Sequence, residues 1–188
     1  RPSEVDRVAP TLVATAEAIR AARPGTQVVF APAPAIRDMF LERFGAVRDW
    51  AIVTDETADW YDVMAAADLA LACSGTVTSE LAVQGTPFLV GYKTGWITWA
   101  LARFFLYKPK HITLLNIAAD DTEVVPEYLQ TKFKVDALVR QSLEFLDDPA
   151  RLAAQKQAQD NALDRMGEGV GHAPDIAARA ILDMSSAV

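Results

Sequence analysis

Ala70-Leu71-Ala72-Cys73-Ser74-Gly75-Thr76-Val77-Thr78-Ser79-Glu80 decides the fold. An apolar run stops at Ser-Gly-Thr, and a helical pattern begins at once. The order predicts a strand over 68–73, a tight glycine turn, and a helix over 77–84 closed by Gly85. In open α/β sheets the crevice beyond the strands' carboxyl ends is where ligands bind. Free N–H groups of such a turn, together with the helix dipole, favour an anion there, typically a phosphate. Glu80 lies about one turn past Thr76 on the same helix face, placed to accept hydrogen bonds from ligand hydroxyls.

The same alternation runs outward in both directions. Residues 3–22 predict a helix with Ser3 as its cap and Val5, Val8, Leu12, Ala16 and Ile19 as its apolar stripe. Pro10 splits or kinks it. Short buried strands follow at 27–31 and 50–53, with a helix over 36–44 between them, then a polar turn at 54–57 and a helix over 58–67. Pro87 to Tyr92 is a further buried strand, His111 to Leu115 another, and Pro126 to Gln130 one helical turn. Helices follow at 135–146, 150–166 and 175–184. Strand and helix thus alternate through most of the chain. That predicts an α/β fold, a parallel sheet with helices on both faces and right-handed crossovers. We divide it into residues 1–146 and a helical C-terminal segment, 147–188.

Composition narrows the function. A chain of 188 residues with 51% hydrophobic content buries a sizeable core. A formal charge of -7 excludes a general nucleic-acid footprint. The single cysteine, Cys73, excludes an intrachain disulfide and a cysteine-built metal site. His111 and His172 show no metal-ligand spacing. No secretory signal pattern and no run of about 18 apolar residues occurs, so a reducing, cytoplasmic setting is the default. The opening Arg1-Pro2-Ser3-Glu4 has no Met and no strand before it, and predicts a fragment or a processed chain.

One segment differs from the rest. Residues 81–119 contain no Asp or Glu, but include Lys93, Arg103, Lys108, Lys110 and His111 interleaved with Trp96, Trp99, Phe104, Phe105 and Tyr107. Two readings stand. The segment is a buried helix, 97–106, with snorkelling ends, or a surface that meets anionic lipid or an anionic ligand.

Individual residues carry bland readings too. Ser74 and Thr76 can cap a helix, Glu80 can complement its dipole, Asn116 can serve a turn, and Lys93 can be a solvated charge. Nucleophilic catalysis fits poorly, because Ser74 lacks the glycine pattern of a nucleophile elbow. No G-x-G-x-x-G or P-loop pattern is present.

Several stretches together resemble the lipid-A-disaccharide synthase family. They are Arg1-x-Ser3-Glu4, Ala66-Ala67-Asp68-Leu69-Ala70-Leu71, Ser74-Gly75-Thr76-x-Thr78-x-Glu80, Gly85-Thr86-Pro87, Gly91-Tyr92-Lys93, Thr98-Trp99-x-Leu101-Ala102, Leu115-Asn116 and Val125-Pro126-Glu127-x-Leu129-Gln130. The resemblance covers almost the whole chain and maps to the C-terminal half of the family. It implies a Rossmann-like domain, one half of a GT-B glycosyltransferase whose N-terminal half is not in this chain. It implies transfer from UDP-2,3-diacylglucosamine to 2,3-diacylglucosamine 1-phosphate (lipid X), without metal or cofactor, at the cytoplasmic face of the inner membrane.

Carried onto this sequence, the resemblance gives Glu80 the ribose hydroxyls of UDP and gives Ser74, Gly75 and Thr76 the diphosphate. Lys93 and Gln130 join the donor site. Arg1 and Asn116 become the catalytic candidates: Arg1 neutralises charge on the departing UDP and Asn116 lies near the donor, while Glu127 lines or supports the cleft. The uracil edge falls at 55–57. The patch at 93–111 then meets the membrane surface or buries a homodimer interface. Two rival readings are another UDP-sugar transferase of the same fold, such as the lipid I N-acetylglucosaminyltransferase, and a non-catalytic binding module. This sequence departs from the family pattern at Ala118-Ala119-Asp120-Asp121-Thr122-Glu123, which is longer and acidic where the family commonly carries Ala-Gly-Arg.

Overall fold

The computed structural model describes residues 2–55, 59–95 and 110–167, together with residues 175, 178, 179 and 181–183, which are helical. Two helices open the chain, α1 (Pro2–Arg7) and α2 (Ala9–Ala22). They part at Val8, just before Pro10, which has no N–H to continue the ladder. Ser3 lies inside α1 and not at its cap. Strand β1 (Val29–Phe30), α3 (Pro34–Phe44), a 3-10 turn (Gly45–Asp49) and β2 (Ile52–Val53) follow, and β1 and β2 pair in parallel.

The second sheet is built from β3 (Ala70–Ala72), β4 (Phe88–Tyr92) and β5 (Glu127–Leu129), all parallel, with β4 in the middle. Helix α4 (Asp59–Ala66) leads into it, α5 (Thr76–Val83) joins β3 to β4, and the short α6 (Leu114–Ala118) precedes β5. Phe88, Leu89 and Val90 are fully buried. Three buried residues in a row are what a central parallel strand needs when both of its faces are covered. After a 3-10 turn (Gln130–Lys132) come α7 (Val135–Leu146) and α8 (Pro149–Arg165). Asp148 caps α8 by accepting the N–H groups of Ala150 and Arg151, with Pro149 pre-set in the first turn.

The α/β class and the parallel pairing agree with the sequence. Besides the Ser3 cap, two local readings do not. Residues 111–115 are not a strand: 114–118 form α6. Residues 126–130 are not a helical turn: 127–129 form β5. In both places a partner distant in sequence overrides the local pattern. Glu127 takes the Ile112 and Thr113 N–H groups ahead of α6, and β4 offers β5 a free edge. The predicted helix over 97–106 lies outside the described residues.

One core joins Met64 of α4, Leu81 and Ala82 of α5, Phe88 and Val90 of β4, Leu115 of α6, and Ala162 and Leu163 of α8. A second joins Val8, Phe133 and Leu138 on the opposite face, with Leu12 and Tyr128 packed against it. Helix α8 also grips backbone: Gln155 donates to the Phe88 carbonyl at 2.7 Å and Gln159 to the Thr86 carbonyl at 3.1 Å. Gly91 is required by space, since a Cβ there would fall within the Phe133 ring.

Candidate functional site

Three positions converge at the carboxyl edge of the second sheet. Ala72, Val90 and Glu127 form one rank of paired residues across β3, β4 and β5. Gly75, Lys93 and Gln130 each come three residues after that rank, on the three chains as they leave the sheet. Register alone therefore brings the glycine turn, a cation and an amide to one edge.

The turn is shaped for an approaching ligand. Gly75 has φ 150 and ψ -163, a region essentially reserved for glycine. Among the described residues nothing lies within 4 Å of where its Cβ would stand, so conformation and not crowding demands glycine. No side chain caps α5. Neither Ser74 nor Thr76 takes that role, which leaves first-turn N–H groups for an external acceptor. Thr78 instead donates its hydroxyl back to the Gly75 carbonyl at 2.7 Å, locking the turn to the first coil of α5.

Glu80 is half-buried on α5. Among the described residues its carboxylate has no hydrogen-bond or ion-pair partner. A half-buried carboxylate without a partner has lost part of its hydration and gained nothing in return, so a ligand hydroxyl is a favourable addition. Gln130 is buried at 7% exposure and has φ 51. Among the described residues its side-chain nitrogen finds no partner. Left-handed backbone at a non-glycine residue and an unsatisfied buried donor are both costly and gather at functional sites. Lys93 is exposed. Arg1 lies outside the described residues. Of the loop at 55–57 only Asp55 is described, and it pairs with Arg37, whose Nε also donates to the Thr54 carbonyl at 3.2 Å.

Asn116 is fully buried. Its Nδ2 donates to the Val125 carbonyl at 2.8 Å and to Glu127 at 3.0 Å, while its Oδ1 accepts the N–H groups of Val124 and Val125 at 2.7 and 2.8 Å. Both amide hydrogens thus have protein acceptors. Asn116 ties α6 to the entry of β5.

Sequence reading missed what surrounds that tie. Four successive N–H groups, those of residues 110–113, all end on carboxylates. Asp121 accepts from Lys110 at 2.8 Å and His111 at 3.1 Å. Besides the Asn116 amide, Glu127 accepts from Ile112 at 3.0 Å and Thr113 at 2.7 Å, and the His111 ring lies at 3.5 Å. The acidic turn has an internal use: Asp120 and Asp121 both stand at φ 58, and Asp120 pairs with Arg165 at 2.7 Å. No local motif announces this, because both acids act on residues ten or more positions away.

The Lys110 N–H holds the Asp121 carboxyl below its ordinary value, helped by the His111 N–H and the nearby charges of His111 and Lys110, against a smaller opposing effect of burial. A depressed carboxylate contributes stability above its unfolded pKa and loses it as pH falls through the folded one. The Lys110 amide resonance, followed by NMR, should therefore shift in a step centred below the ordinary range of an aspartate carboxyl. Asp121→Asn should abolish that step, and a step that persists in the variant would refute the assignment.

Among the described residues no cluster of three or more His, Cys, Asp and Glu is placed to hold a metal ion. None of their helices is long and apolar enough to cross a membrane. A shallow cavity of about 310 Å³, lined by Gln27, Arg48, Asp49 and Trp50 among others, sits at the amino-terminal ends of β1 and β2. None of its lining residues belongs to the edge that gathers the turn, Lys93 and Gln130.

Comparison with known proteins gives a consistent result. A family model described as lipid-A-disaccharide synthetase matches residues 1–181. A lipid-A-disaccharide synthase of Anaeromyxobacter dehalogenans is 34% identical over 168 residues, covering 89% of this chain and 43% of that protein. Those of Gluconobacter oxydans and Rhodospirillum centenum are 32% and 33% identical over 187 residues, 98% of this chain and 44% and 45% of theirs. The chain spans less than half the length of the curated relatives it matches.

Proposed function

Because the chain belongs to the lipid-A-disaccharide synthetase family, we propose that it forms the donor-binding half of a glycosyltransferase. The complete protein transfers the sugar of UDP-2,3-diacylglucosamine to 2,3-diacylglucosamine 1-phosphate and releases UDP. The observation that carries this reading is the pairing of an α5 N-terminus with a Glu80 carboxylate one turn further on, the first uncapped and the second without a partner among the described residues. A nucleoside diphosphate needs both: amides for its phosphates and an acceptor for its ribose hydroxyls.

In this reading Ser74, Gly75 and Thr76 hold the diphosphate, and Glu80 holds the ribose. Lys93 offers a cation to the phosphates, and the Gln130 amide donates to the donor and is thereby satisfied. Arg1 meets the negative charge that grows on the departing UDP, the stage at which a fixed cation is most effective. Asn116, whose amide hydrogens are taken by the Val125 carbonyl and Glu127, serves catalysis indirectly in this reading. It fixes the path from α6 into β5 and so the placement of Gln130. The acceptor pocket belongs to the other half of the cleft, so transfer requires both halves closed on the two sugars. The basic aromatic stretch at 93–111 meets the cytoplasmic surface of the inner membrane, from which both acylated substrates are drawn.

The test is an assay of the full-length protein with acylated and unacylated UDP-glucosamine donors and lipid X as acceptor. UDP release and disaccharide formation with the acylated donor alone are expected. Equal turnover of an unacylated donor would replace this reading with that of a general UDP-sugar transferase. Nucleotide binding without turnover of either would leave a binding module.

A further inference from the structure

Thr78 takes the acceptor that Ser79 would otherwise use. A serine inside a helix ordinarily satisfies its hydroxyl on the carbonyl four residues back, which for Ser79 is that of Gly75. That carbonyl already accepts the Thr78 N–H at 3.1 Å and the Thr78 hydroxyl at 2.7 Å. The Ser79 hydroxyl makes no hydrogen bond among the described residues, although the residue is half-buried. Part of its hydration is gone and no protein group has replaced it.

The position of Ser79 on α5 brings that hydroxyl to the candidate site. Thr78, Leu81 and Ala82 are buried and mark the inner face of the helix. The outer face is left to Thr76, Ser79, Glu80 and Val83. At 3.6 residues per turn, Ser79 and Glu80 stand on either side of the line through Thr76, about 4.5 Å and about 6 Å along the axis from it. Helical side chains tilt towards the N-terminus, so Ser79 leans over the glycine turn. Its short side chain covers the first turn only, whereas that of Glu80 reaches further out.

The turn itself offers few donors to a diphosphate. Of the first three N–H groups of α5, that of Thr78 is spent on Gly75, which leaves those of Thr76 and Val77. At the same sheet edge the Gln130 amide nitrogen is buried and unpartnered among the described residues, an independent mark of a ligand there.

We propose that the Ser79 hydroxyl donates to the phosphate nearest the nucleoside, between the amides that hold the diphosphate and the carboxylate that holds the ribose. The proposal rests on the donor-binding reading above and adds a residue to it. The order of groups along α5, amides then hydroxyl then carboxylate, follows the order of the ligand, phosphates then ribose. A hydroxyl that donates to a charged oxygen makes one of the stronger hydrogen bonds, and Ser79 has no competing acceptor in its own helix.

Calorimetric titration of the full-length protein tests the proposal, with UDP and with the two diastereomers of UDP that carry sulfur in place of one oxygen on the α-phosphorus. Sulfur is a weak acceptor. Ser79→Ala should weaken UDP and one diastereomer by roughly tenfold, and leave the other, whose sulfur stands where Ser79 donates, within about twofold of wild type. Alanine is the better helix former, so α5 persists, and a melting curve verifies it. Glu80→Ala is the control and should weaken both diastereomers equally. An unchanged UDP Kd for Ser79→Ala beside a weakened Glu80→Ala overturns the proposal and leaves the donor-binding reading standing. Equal weakening of both diastereomers by Ser79→Ala overturns it too, since the hydroxyl would then act away from that phosphate. Unchanged UDP binding in both variants removes the reading together with the proposal.

Discussion

Glu80→Ala in the full-length protein weakens UDP binding by about 10- to 100-fold, the usual worth of hydrogen bonds to a charged acceptor. The change is confined to binding. Among the described residues nothing bonds the Glu80 carboxylate, so its removal orphans no group and thermal stability should stay within about 0.5 kcal/mol of wild type. Isothermal titration with UDP, alongside a melting curve, separates the two. Glu80→Gln should fall between, because an amide oxygen still accepts one hydroxyl. An unchanged Kd for the alanine variant would return Glu80 to a mere complement of the α5 dipole.

Asn116→Ala acts in the opposite sense, on the fold first. The Oδ1 that accepts both the Val124 and Val125 N–H groups disappears, and Glu127 loses a 3.0 Å donor. Val125 and Asn116 are both fully buried, so water cannot replace what is removed. Each orphaned buried group costs about 1–3 kcal/mol, and two or three are created. Urea denaturation of this chain should show a loss of roughly 3 kcal/mol or more, a large share of the ordinary stability of a domain. A variant of wild-type stability that nevertheless lost turnover in the full-length protein would move Asn116 from the scaffold to the chemistry.

These two residues show what the sequence reveals and where it stops. β4 was legible because its signal is local: Phe88, Leu89 and Val90 in succession, bounded by Pro87 and Gly91. The turn at Gly75 and the helix carrying Glu80 were legible for the same reason, as an apolar run, a glycine and a helical pattern touch in one stretch. Residues 111–115 misled because Ile112 and Thr113 are β-branched and Leu114 and Leu115 apolar, a fair strand by propensity. The Glu127 carboxylate, more than ten residues away, takes the Ile112 and Thr113 N–H groups that a strand would have used in a ladder. Residues 126–130 misled in reverse. Proline followed by Glu reads as a helix start, yet pairing with β4 at Val90, Gly91 and Tyr92 prevails. Asn116 was legible as a residue of note, but its hydrogen bonds to 124, 125 and 127 exist only once α6 and β5 meet. Asp121 looked like a departure from pattern, and its bonds to Lys110 and His111 account for part of that departure.

The close approach of Phe133 to Gly91 has a genetic meaning. Since the ring fills the volume a Cβ would need, the two positions form one heritable unit. A methyl gained at 91 is tolerated only by a lineage that has already trimmed 133. Any side chain lost at 133 opens a void that selection can refill from 91. Drift at either site is therefore conditional on the other, although 42 residues separate them along the chain.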